Sequence, residues 1–183
     1  MAHMDAWDRV EKWLQAKCER AYRNLGKPAT AAKIAGLEKK LSAKLPREAC
    51  DIYRRHDGQT MGPPIAGDWK ILPLKSVEAQ WNIQQKLLED GAFAGAVATA
   101  KGPVRPVWWS SKWIPMAFNG SGDLECIDLE PAENGRVGQI ILFRHDNELR
   151  ECIAESFTAW LEELASDMES EKYVVEDGRI VRR

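Results

Sequence analysis

The stretch that decides the fold is Trp113-Ile114-Pro115-Met116-Ala117-Phe118-Asn119-Gly120-Ser121-Gly122-Asp123-Leu124-Glu125-Cys126-Ile127-Asp128-Leu129. Two β-rich runs, 113–118 and 124–129, flank Asn-Gly-Ser-Gly, a cluster of residue types that reverse a chain. So short a connection makes the pair antiparallel, because parallel neighbours need a crossover of a dozen or more residues. A third run, 139–143, follows a second turn-forming segment at 131–135, and the three form a meander. Ser156 then caps a helix in which Phe157, Trp160, Leu161, Leu164 and Met168 recur at three- and four-residue steps and face inward. Past it, 173–181 reads as a small hairpin turning at Asp177-Gly178.

Upstream of the meander the period changes from two to 3.6. Trp7, Val10, Leu14, Cys18, Ala21 and Leu25 make one apolar stripe over about five turns. Gly26 stands where a helix C-cap takes positive φ, and Pro28 prevents continuation. Thr30 caps a second helix carrying Ile34, Leu37 and Leu41. Pro46 suits the first position of a third, 47–56, anchored by Ile52 and Tyr53 and ended by Asp57-Gly58. A Pro/Gly loop at 61–67 leads to a short edge strand at 69–74, broken by Pro73. Ser76 caps a fourth helix with Val77, Trp81, Gln84 and Leu88 aligned. The segment 91–106 is rich in small residues and reads as a long loop, a feature often functional. The expected fold is α+β: N-terminal helices, a largely antiparallel sheet (a meander) and a C-terminal helix packed on it. All 183 residues are read as one domain, with residues 1–4 a cloning remnant (His3 set aside) and Met4 the native start.

Hydrophobic residues make up 44% and charged residues 30% of the chain, the balance of an ordered globular domain. The net charge of −2 excludes a general nucleic-acid binder with a basic field. No apolar run approaches the roughly 20 residues of a membrane span. Asp5, Asp8 and Glu11 interrupt any signal-peptide core, so a cytoplasmic protein is expected. Cys18, Cys50, Cys126 and Cys152 form no C-x-x-C pair and read as reduced, buried thiols. His56-Asp57 and His145-Asp146 are too few for a metal-dependent phosphohydrolase. Cys50 or Cys126 with His145 lacks any local signature of a nucleophile pair, and Gly120-Ser121-Gly122 precedes no helix that would hold a phosphate. The reading is a protein that is not an enzyme, with no cofactor and no metal.

Charge is unevenly placed. Residues 1–55 carry 13 Lys+Arg against 7 Asp+Glu, whereas residues 119–178 carry 4 against 16. Such asymmetry points to a charged partner. The expected partner-binding surface comprises Asp123, Asp128, Glu130 and Glu133 around the hairpin, with Glu162 and Glu163 on the last helix. Glu125 and Glu169 join the same acidic row. Trp108 and Trp109 supply aromatic anchors of the kind interfaces favour. As consecutive residues of an extended chain they point to opposite faces, leaving one of them exposed.

Leu45-Pro46, Tyr53 and Asp57-Gly58-Gln59, then Ile71-Leu72-Pro73-Leu74 and Trp81, then Trp113-Ile114-Pro115-Met116-Ala117 with Asn119-Gly120-Ser121-Gly122-Asp123, stand in a telling order. Cys126-Ile127-Asp128-Leu129, Gly138-Gln139-Ile140-Ile141 and Ala154-Glu155-Ser156-Phe157 with Trp160-Leu161 complete it. The ordered set resembles the SUKH superfamily, and within it the Smi/Knr-type domain named from fungal cell-wall assembly regulators. The resemblance runs over about 29–165, with 5–28 an N-terminal helix and 173–183 a terminal hairpin or tail. Asp57 stands where the family usually carries Asn. The resemblance implies a non-catalytic α+β domain, and the leading expectation is a bacterial immunity protein. It would neutralise a cognate secreted toxin, with a basic surface, by stoichiometric binding. A regulatory scaffold of the cell-wall-assembly type is the alternative, and an enzyme of unrecognised type a third reading.

Overall fold

The structure, a computed structural model, describes residues 5–183. The cloning remnant read at residues 1–4, with His3, lies outside the described residues. Helices α1 (Ala6–Lys17), α2 (Glu19–Arg23), α3 (Ala31–Leu41) and α4 (Arg47–Arg55) come first. Strand β1 (Lys70–Ile71), helix α5 (Leu74–Glu89) and strand β2 (Thr99–Lys101) follow. The strands β3 (Trp113–Phe118), β4 (Leu124–Asp128), β5 (Gln139–Phe143) and β6 (Leu149–Ala154) precede α6 (Phe157–Glu169) and the hairpin β7 (Tyr173–Glu176) and β8 (Arg179–Arg182).

The N-terminal helix is two helices. Cys18 leaves the helical region at φ −148° and ψ 69°, and α2 resumes one residue later at an altered angle. That turn brings Leu25 to bridge Gln59 and the Gly26 amide to 2.7 Å from the Gly58 carbonyl, a long-range contact no periodicity encodes. Gly26 is therefore needed for close approach, not for positive φ: a Cβ there would sit 2.3 Å from the Asp57 carbonyl oxygen. Thr30 caps α3 as its sequence position predicts, accepting from the Lys33 amide. Pro46 is the cap residue of α4 rather than its first helical residue. Helix α5 begins at Leu74, two residues before Ser76, because Asp57 supplies the cap from another loop: its Oδ1 accepts from the Leu74 amide at 2.8 Å.

The sheet order is β1-β3-β4-β5-β6-β2, antiparallel except where β2 runs parallel to β6. The meander and its hairpin are as the sequence indicates. Asn119 Oδ1 accepts from the Ser121 and Asp123 amides, and Asp123 in turn accepts from Asn119 Nδ2 at 2.9 Å. Strand β2 lies within the segment read as a structureless loop. Strand β6 had no counterpart in the sequence reading, since Arg150 and Glu151 interrupt its apolar pattern.

Both faces of the sheet are covered. Ile114, Ile127 and Ile140 join apolar residues of α1, α3, α4, α5 and α6 in the larger core. Trp113, Leu124, Cys126, Ile141 and Phe143 pack on the other face beneath Val104 and Trp109 of the segment after β2. Trp109 makes edge-to-face contacts with Trp113 and Phe143, ring centroids 5.8 and 5.1 Å away. The long segment is thus a cover on the second face, and Trp81 of α5 fastens it by donating to the Ser111 carbonyl at 3.0 Å.

Candidate functional site

The expected acidic surface divides into exposed and buried members. Asp128 has no exposed area, accepts from Gln139 Nε2 and from the Glu130 amide at 3.0 Å, and is pushed up from the ordinary carboxyl range by burial. Trp109 is 4% exposed within the second core. Neither presents a side chain to a partner, which corrects the expectation for both. Trp108 is half-buried, with the Arg150 guanidinium 4.8 Å from its ring centroid. Asp123 is turned inward: its Oδ1 accepts from the His145 amide and faces His145 Nδ1 at 2.9 Å, holding the carboxyl below its usual range and His145 above its own. Glu130, Glu133, Glu162 and Glu163 are exposed.

Folding also neutralises part of the charge split. Arg9 of α1 reaches Glu169 of α6 at 2.5 Å. Asp167 is held by Lys172 at 2.5 Å and Arg182 at 2.8 Å, Glu151 pairs with Lys101, and Glu130 with Arg105. These pairs neutralise part of the acidic segment, one of them from the basic N-terminal helix, so the surface field is weaker than the segment counts suggest.

A cleft of about 460 Å³ opens on the helical face of the sheet, where α6 and the β7–β8 hairpin stand away from β5 and β6. Trp69, Trp160 and Tyr173 line it with Leu142 and Leu164, and Glu163, Asp167, Arg144 and Arg182 reach it from the walls. Its floor carries Glu125, whose neighbours Leu124 and Cys126 turn into the second core. Glu125 is 6% exposed, and its Oε2 has no hydrogen-bond partner. Burial pushes this carboxyl up to about 8 against the opposing hydrogen bond from Trp160, and the nearby Glu163 charge adds to the rise.

The candidate nucleophiles and histidines do other work. Cys126 is buried and desolvation pushes its thiol well up; burial also raises the thiols of Cys50 and Cys152, the reverse of an activated thiolate. All four cysteines are free thiols, with Cys152 only partly buried. His56 ties Gly26 to α1 through contacts of 2.9 Å to the Gly26 carbonyl and 3.0 Å to Glu11. Asp123, His145 and Asp146 are the one group of three possible metal ligands found among the described residues, and Asp123 and His145 are already spent on each other. No helix among the described residues is long and apolar enough to cross a membrane.

The model of the SMI1 / KNR4 family (SUKH-1) matches residues 28–163. The chain is 29% identical to the cell wall biosynthesis/cell cycle regulator smi1 of Schizosaccharomyces pombe over 94% of its own length and 37% of that protein's. It is 23% identical to the glucan synthesis regulatory protein of Neurospora crassa, covering 94% of this chain and 39% of that protein. It is 24% identical to the cell wall assembly regulator SMI1 of Saccharomyces cerevisiae, covering 94% and 42%. The chain therefore spans less than half the length of these relatives. Their names overturn the leading expectation from sequence, an immunity protein bound to a basic bacterial toxin: the relatives are fungal cell-wall and glucan-synthesis regulators.

Proposed function

The chain belongs to the SMI1 / KNR4 family (SUKH-1), and from that membership we propose that it is a regulatory protein-binding module of the cell-wall-assembly type, without catalytic activity of its own. The observation that carries the reading is likeness along 94% of the chain to proteins named as regulators of wall assembly and glucan synthesis. Two features of the fold support it. Groups that chemistry would need, Cys126 and the His145–Asp123 pair, are buried or committed to turns. The cleft beside α6 instead offers aromatic walls and a carboxyl floor, a recognition surface rather than a reaction centre. In this reading Glu162 and Glu163 on the outer side of α6 contact the partner, with Glu163 at the mouth of the cleft. Trp108, Glu130 and Glu133 lie on other parts of the surface and modulate approach, whereas Asp123 is committed to His145 and Asn119.

The test is a segment exchange. The matching part of the S. pombe relative is replaced by this chain, and growth under wall stress is compared with strains carrying the intact protein or lacking the segment. Growth near that of the intact strain is expected. Growth equal to that of the strain lacking the segment would refute the reading.

A further inference from the structure

Buried polar groups in folded proteins are nearly always satisfied, and those that are not call for a reason. Glu125 Oε2 is such a group, on a central strand and at the floor of the cleft beside α6. We propose that this cleft is a receptor for an organic cation, the guanidinium or ammonium group of a basic side chain carried on an extended segment of a partner. The proposal deepens the reading of the chain as a protein-binding module and rests on it.

The surroundings select this chemistry. Trp69 and Trp160 bring aromatic rings to the wall, and a ring quadrupole attracts a cation; the Tyr173 ring already has the Arg182 guanidinium 5.8 Å from its centroid. Glu163, exposed at the mouth, has no ion pair among the described residues and supplies a second carboxylate on the path to Glu125. The remaining charged groups facing Glu125 are largely committed. Asp167 on α6 is held by Lys172 and Arg182, Arg182 on β8 also lies over the Tyr173 ring, and Glu151 on β6 pairs with Lys101. Arg144, just past β5, is the one wall cation without an ion pair among the described residues. Its charge restricts the cleft to a single incoming cation. A volume of about 460 Å³ holds one long side chain with its adjoining backbone.

Burial keeps Glu125 protonated near neutrality. A cation favours the ionised form, so its binding expels the proton, and affinity rises with pH up to about 8 by close to tenfold per unit. A neutral polyhydroxyl ligand would also satisfy Oε2 but would leave the proton in place.

The test follows the indole N–H resonances of Trp69 and Trp160 in the full chain during titration at pH 6, 7 and 8. The probes are the acetylated, amidated tripeptides Gly-Arg-Gly and Gly-Gln-Gly, and cellobiose. The arginine peptide is expected to shift both resonances and to bind at least about tenfold more tightly at pH 8 than at pH 6. Glu125→Gln should weaken it at least about tenfold and remove the pH dependence, without lowering thermal stability. Equal binding of the glutamine peptide, preference for cellobiose, no binding in any arm, or unchanged arginine binding by Glu125→Gln would each overturn the proposal. If that happens while the segment exchange still supports growth, the cleft assignment is wrong and the regulatory reading stands.

Discussion

Replacing Glu125 by Gln isolates the energetic consequence of a carboxyl trapped on the floor of the cleft. Burial pushes Glu125 up to about 8, while in the unfolded chain it ionises near the ordinary value of about 4.5. Between those values the unfolded state binds fewer protons than the folded state, so stability falls as pH rises. The limiting slope is about 1.4 kcal/mol per pH unit. Over pH 5 to 7 the wild type should thus lose about 2.5 kcal/mol relative to a side chain that cannot ionise, and the loss levels off near pH 8. Gln has the same shape and no titration, so the variant should be more stable than the wild type by about 3 kcal/mol at pH 7 and by less than about 1 kcal/mol at pH 5. Glu163, Asp167, Arg144, Arg182 and Glu151 face the same cleft in both proteins and largely cancel in the difference. Urea unfolding followed by tryptophan fluorescence at pH 5, 6, 7 and 8 measures it, provided the m-value is shared. A difference that stays flat across this range would refute the reasoning. So would a Gln variant less stable at pH 7, since either would place an ordinary, solvated carboxylate at the floor of the cleft.

Three further perturbations test the frame around the cleft. Gly26→Ala drives a methyl group against the Asp57 carbonyl and should cost about 2–4 kcal/mol in urea unfolding, despite a backbone φ that alanine can adopt. Trp109→Ala opens the second core and should cost about 3–5 kcal/mol by the same assay, identifying the segment after β2 as a structural cover. Asp123→Ala removes the acceptor for Asn119 and for both donors of His145, a loss of about 1–3 kcal/mol in thermal or urea unfolding near pH 6. Asp123 sits below its usual range and His145 above its own, so their mutual stabilisation fades as pH falls through the Asp123 value. It fades again as pH rises through the His145 value. The penalty should therefore be smaller at pH 9 than at pH 6.

The meander was legible because β3, β4 and β5 are apolar runs divided by turn residues, and α6 because Ser156 precedes a clean helical stripe. Strand β6 was hidden by Arg150, which is fully buried without a carboxylate partner. It donates instead to the carbonyls of Trp108, Asn147 and Leu149 and lies between the rings of Trp108 and Phe143. Burial pushes the guanidinium down to about 10. Strand β2 was hidden because all three of its residues are exposed, so its pairing to β6 leaves no hydrophobic trace. The cap of α5 was misplaced because Asp57, 17 residues upstream of Leu74, does the work assigned to Ser76.

The site was less legible than the fold. Counting acids along the chain put Asp128 and Glu163 in one row, although one is enclosed by Gln139 and the other faces solvent. The same count missed that Arg9 answers Glu169 across 160 positions. Glu125 did carry a readable sign: a charged residue inside an otherwise buried central strand is anomalous wherever both faces of the sheet are covered. That sign has force only once the order of the six strands is known.

The proposed role of this chain is that of a recognition module in the regulation of wall synthesis, acting through the cleft above Glu125. The most direct test is the segment exchange in the S. pombe relative, made with the wild-type chain and with Glu125→Gln, at matched protein levels and scored by growth under wall stress. The wild-type segment is expected to support growth and Glu125→Gln, though the more stable protein, is expected not to. Equal growth of the two would contradict the role given to the cleft, and a wild-type segment no better than its absence would contradict the regulatory function itself.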